Sequence, residues 1–303
     1  MNLLFGINVD PTTDELDHTY ERTQFADEHN LDLVMIQDHP YNRRFLDTWT
    51  LLAVLAARTT RVHLGTNVAN LPLRPPAMLA KQAASLDVIS GGRIELGLGA
   101  GAYAEGIAAY GGPRRTPGEA YSAFKDALII LRGMWSQTSF SYEGEFYQVK
   151  GAKPGPMPAH PIRIWAGALG PRMLRLTGEM ADGVLVSSTY VPPERLREIN
   201  ASIDEGAAKA GRSPDMIRRG YNLMGIIDVG QEGAYGSEPG VIYGKPQDWI
   251  ETLVGYHRDY RQDTFIFWPV GRESMKQLQA FAEEVIPGMR AAVDPQALRA
   301  TNP

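Results

Sequence analysis

Short apolar, β-rich runs alternate with amphipathic helical runs along this chain from end to end, and that alternation limits the fold more than any single residue does. Leu3–Val9, Asp32–Ile36, Val62–Val68 and Arg93–Leu98 read as strands. Asp14–His29 reads as a helix between the first two, with Leu16, Tyr20, Thr23 and Ala26 or Asp27 tracing one face. Thr48–Arg58 is a second helix, a third opens near Pro76, where proline suits a first turn, and a long one runs from about Glu119 to Trp135. Ile162–Ala168, Gly183–Ser187, Arg219–Ile227 and Thr264–Val270 supply the later strands, with helices between them. Strand and helix in strict alternation imply a parallel sheet. About eight such units in 303 residues predict a single α/β domain over 1–303, a (β/α)₈ barrel. A doubly wound open sheet is the alternative; the length and the even spread of strands favour the barrel.

The alternation pauses over 136–161, after the fourth unit. Ser139–Val149 alternates around Glu143-Gly144, which predicts a small β-hairpin, and the Pro- and Gly-rich Lys153–Pro161 leads back to the barrel. Val229–Lys245 is rich in glycine, poor in aliphatics and follows a strand. It reads equally well as a mobile lid or as a plain loop.

Composition removes several function classes. The net charge of −5 leaves no dominant basic face, so nucleic acid is not an expected partner. With no cysteine there is no disulfide, thiolate nucleophile or zinc-cysteine centre, and no metal is called for. The Met1–Ile7 start lacks the basic region of a signal peptide, and no run approaches the roughly 18 apolar residues of a membrane span. A cytoplasmic enzyme with a small-molecule substrate and no membrane partner is the expectation.

In a barrel, the residues just past each strand face the active end. The second strand runs into Gln37-Asp38-His39-Pro40-Tyr41. His39 can pass or donate a proton near neutral pH, or simply cap its loop. The third ends in Gly65-Thr66-Asn67-Val68-Ala69-Asn70, where small and amide side chains let a flat ring approach the backbone. The fourth ends in Gly97-Leu98-Gly99-Ala100-Gly101, weak evidence for a ligand because glycines also end strands for steric reasons. Past the fifth, Gly167-Ala168-Leu169-Gly170-Pro171-Arg172 opens a helix whose free amides suit a phosphate, as would an ordinary turn. Arg74, Arg114 and Arg115 lie in the loops after strands three and four, as solvated arginines or as contacts to an anion. Tyr41, Trp49, Tyr103, Tyr190 and Trp268 are candidate rim aromatics of an apolar pocket.

Together these blocks resemble the luciferase-like superfamily of flavin- and coenzyme F420-dependent oxidoreductases. The likeness rests on Gln37–Tyr41, Leu64–Leu71, Leu86–Gly101 and Leu174–Val184, and it covers essentially the whole chain. Asp38-His39 is similar to the branch that uses the deazaflavin coenzyme F420, in which the histidine sits close to the reactive centre of the ring. The Glu-His-His frequent in flavin users is absent. The resemblance implies a non-prolyl cis peptide at Asn67–Val68. It implies His39 as the catalytic residue, and contacts to the cofactor from Asp38, Asn67, Val68, Asn70, Gly99, Gly101, Ala168, Leu169, Gly170 and Arg172. Some sugar-phosphate-oxidising members place a glutamate after the Gly-x-Gly motif; here Ala102 stands there and Glu105 follows one turn later. The implied function is hydride transfer between coenzyme F420 and an organic substrate, in a homodimer built through barrel helices. The alternatives are an FMN-dependent monooxygenase served by a separate reductase, and a flavin-binding protein without turnover.

Overall fold

Eight parallel strands form the wall of the structure, a computed structural model that describes residues 2–230 and 238–293. They are β1 (Leu4–Val9), β2 (Leu33–Ile36), β3 (His63–Thr66), β4 (Ile94–Gly99), β5 (Ile164–Gly167), β6 (Gly183–Ser187), β7 (Arg218–Ile227) and β8 (Thr264–Pro269). Each pairs with its successor, and β8 returns to β1 with Thr264 opposite Leu4 and Phe267 opposite Ile7. The sheet is therefore closed, and the open-sheet alternative falls away. Among the described residues no helix is long and apolar enough to cross a membrane.

The period of two along each strand divides the apolar residues between two cores. Phe5, Ile7 and Val9 point outward to the helices and join the large outer core with Val34, Ile36, Leu96 and Leu98. Leu33, Met35, Trp165, Leu185 and Ile266 point inward and make a small core inside the barrel. The middle of the Leu86–Gly101 block belongs to the fold. Gly91 (φ 73) ends the helix Pro76–Ser90 in the left-handed region. Arg93 then turns under the barrel wall and donates to the carbonyls of Ser90, Val62, Ala56 and Thr59 and to the Thr59 hydroxyl, at 2.8–3.0 Å. One guanidinium thus ties the end of the helix Thr48–Arg58 to the start of β4.

The structure departs from the sequence expectation in a few places. The first helix spans Leu16–Glu28 and buries Thr19, Thr23 and Ala26; Leu16 and Tyr20 lie at the edge of that face. Thr19 is drawn in because its hydroxyl donates to the Asp10 carbonyl. The third strand does not run unbroken to Val68. It stops at Thr66, and Ala69–Asn70 pairs with β4 after the chain has turned. The insertion is a hairpin as expected, Phe140–Glu143 against Gln148–Ala152, with a register shift near Ser141. Asp126 anchors it by accepting from the Tyr142 hydroxyl and the Phe146 amide. The Val229–Lys245 segment falls partly outside the described residues. Within it, Ile242–Gly244 adds a short parallel strand to the end of β7.

Candidate active site

Three amides floor the upper end of the barrel. Asn8 on β1, Asn67 just past β3 and Asn222 on β7 come from alternate strands, as side chains in one layer of such a barrel do. The Asn67 Nδ2 donates to Asn222 Oδ1 at 2.9 Å and to Asn8 Oδ1 at 3.2 Å, and Asn222 Nδ2 returns a bond to Asn67 Oδ1. Asn8 is 1% exposed, yet its Nδ2 has no partner. Buried donors are rarely left so.

The Asn67–Val68 peptide is cis, at the position the resemblance implied. The glycines around it have a packing reason. A Cβ on Gly99 would lie 2.5 Å from Val68 Cγ2, one on Gly167 3.0 Å from the same atom, and one on Gly97 1.9 Å from the Thr66 carbonyl. Two strands, β4 at two positions and β5 at one, thus give up side chains so that Val68 can lie across them. Gly101 (φ 89) is required by its backbone and by Pro72, which its Cβ would meet at 2.6 Å.

Asp38 is buried with both oxygens engaged. Arg74 grips it through Nε and Nη2 at 2.8 Å each, and the Asn70 amide donates to it at 2.9 Å. Arg74 is therefore neither a solvated arginine nor free to meet an anion: it is 13% exposed and also pairs with Asp47. Burial works against its charge, but Asp38 and Asp47 more than offset this and raise its pKa. The clamp holds the β2 and β3 loops together, and the residue between them in function is His39.

His39 Nδ1 lies 2.7 Å from the Tyr41 hydroxyl, and Tyr41 stacks edge-on with Tyr103 at 5.2 Å. Burial holds the imidazole below its ordinary pKa, against the pull of the Asp38 and Asp10 carboxylates. Burial likewise raises the Tyr41 phenol, while the Asn70 side chain bonds to it and lowers it. A neutral ring accepting the Tyr41 proton at Nδ1 keeps its own proton on Nε2. The Asn70 Oδ1 atom is buried without a partner.

Three acidic and amide groups, Asn8, Asp10 and Asn222, were missed in the sequence. Asp10, the first residue past β1, bonds to Gln37, and burial lifts its pKa despite hydrogen bonds from Gln37 and Trp268. The strand-end rule that singled out His39 would have found it. Asn222 sits inside an apolar strand, where only the closed barrel gives it meaning.

At the mouth of β5, Gly170 starts the helix Pro171–Met180 and has nothing within 4 Å of an added Cβ. Ala168 is buried, Leu169 is half exposed, and the Arg172 guanidinium lies 4.3 Å over the Tyr121 ring. Of the rim aromatics, Tyr41 and Tyr103 meet at His39 and Trp268 meets Asp10. Tyr190 is 76% exposed, and Trp49 is a correction: it is buried in the outer core. Arg115 lies against the Phe146 and Tyr147 rings and donates to the Tyr147 hydroxyl.

The sequence model of the luciferase-like monooxygenase family matches residues 1–236. A 5,10-methylenetetrahydromethanopterin reductase of Methanolobus tindarius is 35% identical over 215 residues, 71% of this chain and 63% of the relative, so the match spans less than two thirds of that reductase. An F420-dependent glucose-6-phosphate dehydrogenase of Intrasporangium calvum is 29% identical over 244 residues, 77% of this chain and 69% of the relative. Among solved structures, an F420-dependent secondary alcohol dehydrogenase superposes with a TM-score of 0.83 over 96% of this chain and 100% of its own, at 16% identity. That likeness speaks to the fold alone.

Proposed function

The chain belongs to the luciferase-like monooxygenase family, and on that premise we propose that it is an oxidoreductase moving a hydride between coenzyme F420 and an organic small molecule, with His39 at the reacting atoms. The observation that carries this reading is the half-buried imidazole of His39, bonded to Tyr41 at the active end of the barrel, with burial holding its pKa below the ordinary value. Two features suit a flat ring laid on the backbone. Val68 rises from a cis peptide over three glycines, and the buried Asn8 Nδ2 and Asn70 Oδ1 lack partners that a ring's polar edge would supply.

Bound coenzyme F420 supplies a carbon that gives or takes a hydride. Asn67 and Val68 back the ring, with Gly99 and Gly101 shaping the same wall, while Ala168, Leu169, Gly170 and Arg172 hold an anionic tail at a helix N-terminus. Asp38 acts at one remove, by fixing Asn70 and the loop that carries His39. The Asn70 side-chain Nδ2 donates to the Tyr41 oxygen, and the Tyr41 hydroxyl donates to His39 Nδ1. The Nε2–H is then a fixed donor toward charge that develops as the hydride moves. Tyr41, packed edge-on against Tyr103, keeps the imidazole from turning.

Purification with native cofactor tests the reading: mass spectrometry and absorbance should report a deazaflavin, and F420 should be reduced or reoxidised with substrate. Bound FMN, with turnover dependent on oxygen and on a separate reductase, would replace it with the monooxygenase reading. Gly170→Leu tests the tail site cleanly, because the open space at Gly170 predicts an unchanged melting temperature. Affinity for the cofactor should fall at least tenfold; unchanged affinity places the tail elsewhere.

Homodimerisation belongs to the same proposal. Val54 on the helix Thr48–Arg58 and Met78, Val88 and Ile89 on the neighbouring Pro76–Ser90 are exposed apolar side chains, Ile89 at 73%. Such a patch on two adjacent barrel helices fits a second copy. Sedimentation at micromolar concentration should give twice the 33.4 kDa chain mass, and Ile89→Glu should shift it toward monomer.

A further inference from the structure

At the opposite, N-terminal end of the barrel the structure brings together three metal-ligating residues from separate units. We propose that His63, Glu95 and His160 form a binding site for one divalent transition-metal ion of the zinc class. His63 opens β3, Glu95 is the second residue of β4 and His160 precedes β5. One atom from each, two ring nitrogens and a carboxylate oxygen, lie within 4.8 Å of one another. Ligands around a tetrahedral zinc stand about 3.3 Å apart, given bonds of roughly 2.0–2.1 Å. His63 Nδ1 and Glu95 Oε1 are already at 3.3 Å. The third ligand closes by a movement of up to about 1.5 Å, within reach of rings that are 34% and 21% exposed.

The independent observation is the state of His160. Its Nδ1 lies 2.7 Å from Asp87 Oδ1, and its backbone amide donates to Asp87 Oδ2 at 3.0 Å. Asp87 is fully buried and also accepts from the Ile94 amide. That carboxylate fixes the proton on Nδ1 and leaves Nε2 with a lone pair. Nε2 is buried and has no partner. Carboxylate, imidazole and an open Nε2 in line are the arrangement by which proteins orient a metal-binding histidine. Glu95 is held in the same way: fully buried, it accepts from the Trp165 indole at 2.9 Å through Oε2, which leaves Oε1 toward the histidines.

Arg163 is the competing cation. Its Nη1 lies 3.2 Å from Glu95 Oε1, but its side chain is 41% exposed and free to withdraw. His160 and Arg163 also border a cleft of about 360 Å³ on this face. Bound there, the ion would cross-link β3, β4 and the segment entering β5, far from the strand ends that carry His39. Its role is then to brace the barrel floor, apart from hydride transfer.

Metal-free protein titrated with zinc chloride against a chromophoric chelator tests this. One equivalent should bind, with micromolar or tighter affinity, and raise the melting temperature. Cobalt(II) in its place should give the intense visible absorption of a tetrahedral site. His160→Ala and His63→Ala should each weaken binding at least tenfold, as should Asp87→Asn through His160. His63→Gln keeps the test open if a deletion unfolds the protein. Arg163→Gln should bind at least as tightly as wild type, and the surface variant His29→Gln should bind equally. Absence of stoichiometric binding, or unchanged affinity in both His63 and His160 variants, overturns the proposal.

Discussion

His39→Ala lowers turnover by about 10²–10⁴-fold, the range for loss of a positioned proton donor, while the fold stays intact and cofactor affinity changes far less. The asymmetry follows from geometry. His39 is half-buried at the strand end and, among the described residues, its side chain bonds to Tyr41 alone, so removing it opens space at the mouth without breaking a ladder or an ion pair. Turnover, cofactor affinity and melting measured on one variant decide it; full turnover from a folded variant ends the role. The pH profile adds a second readout. Burial favours the neutral ring, so the acidic limb of turnover should lie below the ordinary histidine value of 6.5. The linkage has the same sign. A histidine whose folded pKa is depressed contributes stability above its unfolded pKa and loses it as the pH falls toward the folded one. Tyr41→Phe removes the proton donated to Nδ1, which supports the neutral form, so the limb should move up toward 6.5.

Asp38→Ala should be the most damaging substitution in the site for stability, at about 3 kcal/mol, the order found when one partner of a buried ion pair is deleted. Arg74 would be left with Asp47 alone, which is 43% exposed, and the Asn70 amide would lose its acceptor. For a chain of this size that corresponds to a fall in melting temperature on the order of 10 °C. Turnover should fall too, because the loops bearing His39 and Asn70 are no longer tied. The double variant Asp38→Ala, Arg74→Met removes the stranded charge and should be more stable than Asp38→Ala alone. If the single and double variants melt together, the clamp contributes little and the loops are held by packing. Asp38 then belongs nearer to the cofactor than the structure places it.

The barrel was legible in the sequence because its cause is local. A run of alternating apolar residues makes a strand whatever lies elsewhere, and eight such runs separated by helices have few ways to close. The turn chemistry was legible for the same reason in the Glu143-Gly144 hairpin. His39 could be singled out because lying within three residues of the end of an apolar strand is a property of its immediate neighbours. The cis bond at Asn67–Val68 came from resemblance, and the structure added why Gly97, Gly99 and Gly167 accompany it.

What only the tertiary structure decided are the partnerships across long stretches of chain. Nothing local says that Arg74 closes on Asp38, 36 residues away, instead of meeting an anion. Asn67 meets Asn8 and Asn222 across 59 and 155 residues, and the amide layer exists only once alternate strands face one axis. Trp49 looked like a rim residue and became core, because the first turn of its helix rotates it inward. His63, Glu95 and His160 carry no metal-binding spacing, yet the same closure sets them side by side at the barrel floor. Strand and helix periods follow from backbone sterics and side-chain alternation within a few residues. The partner of a polar side chain depends on barrel closure and register, which bring together residues that no short window contains.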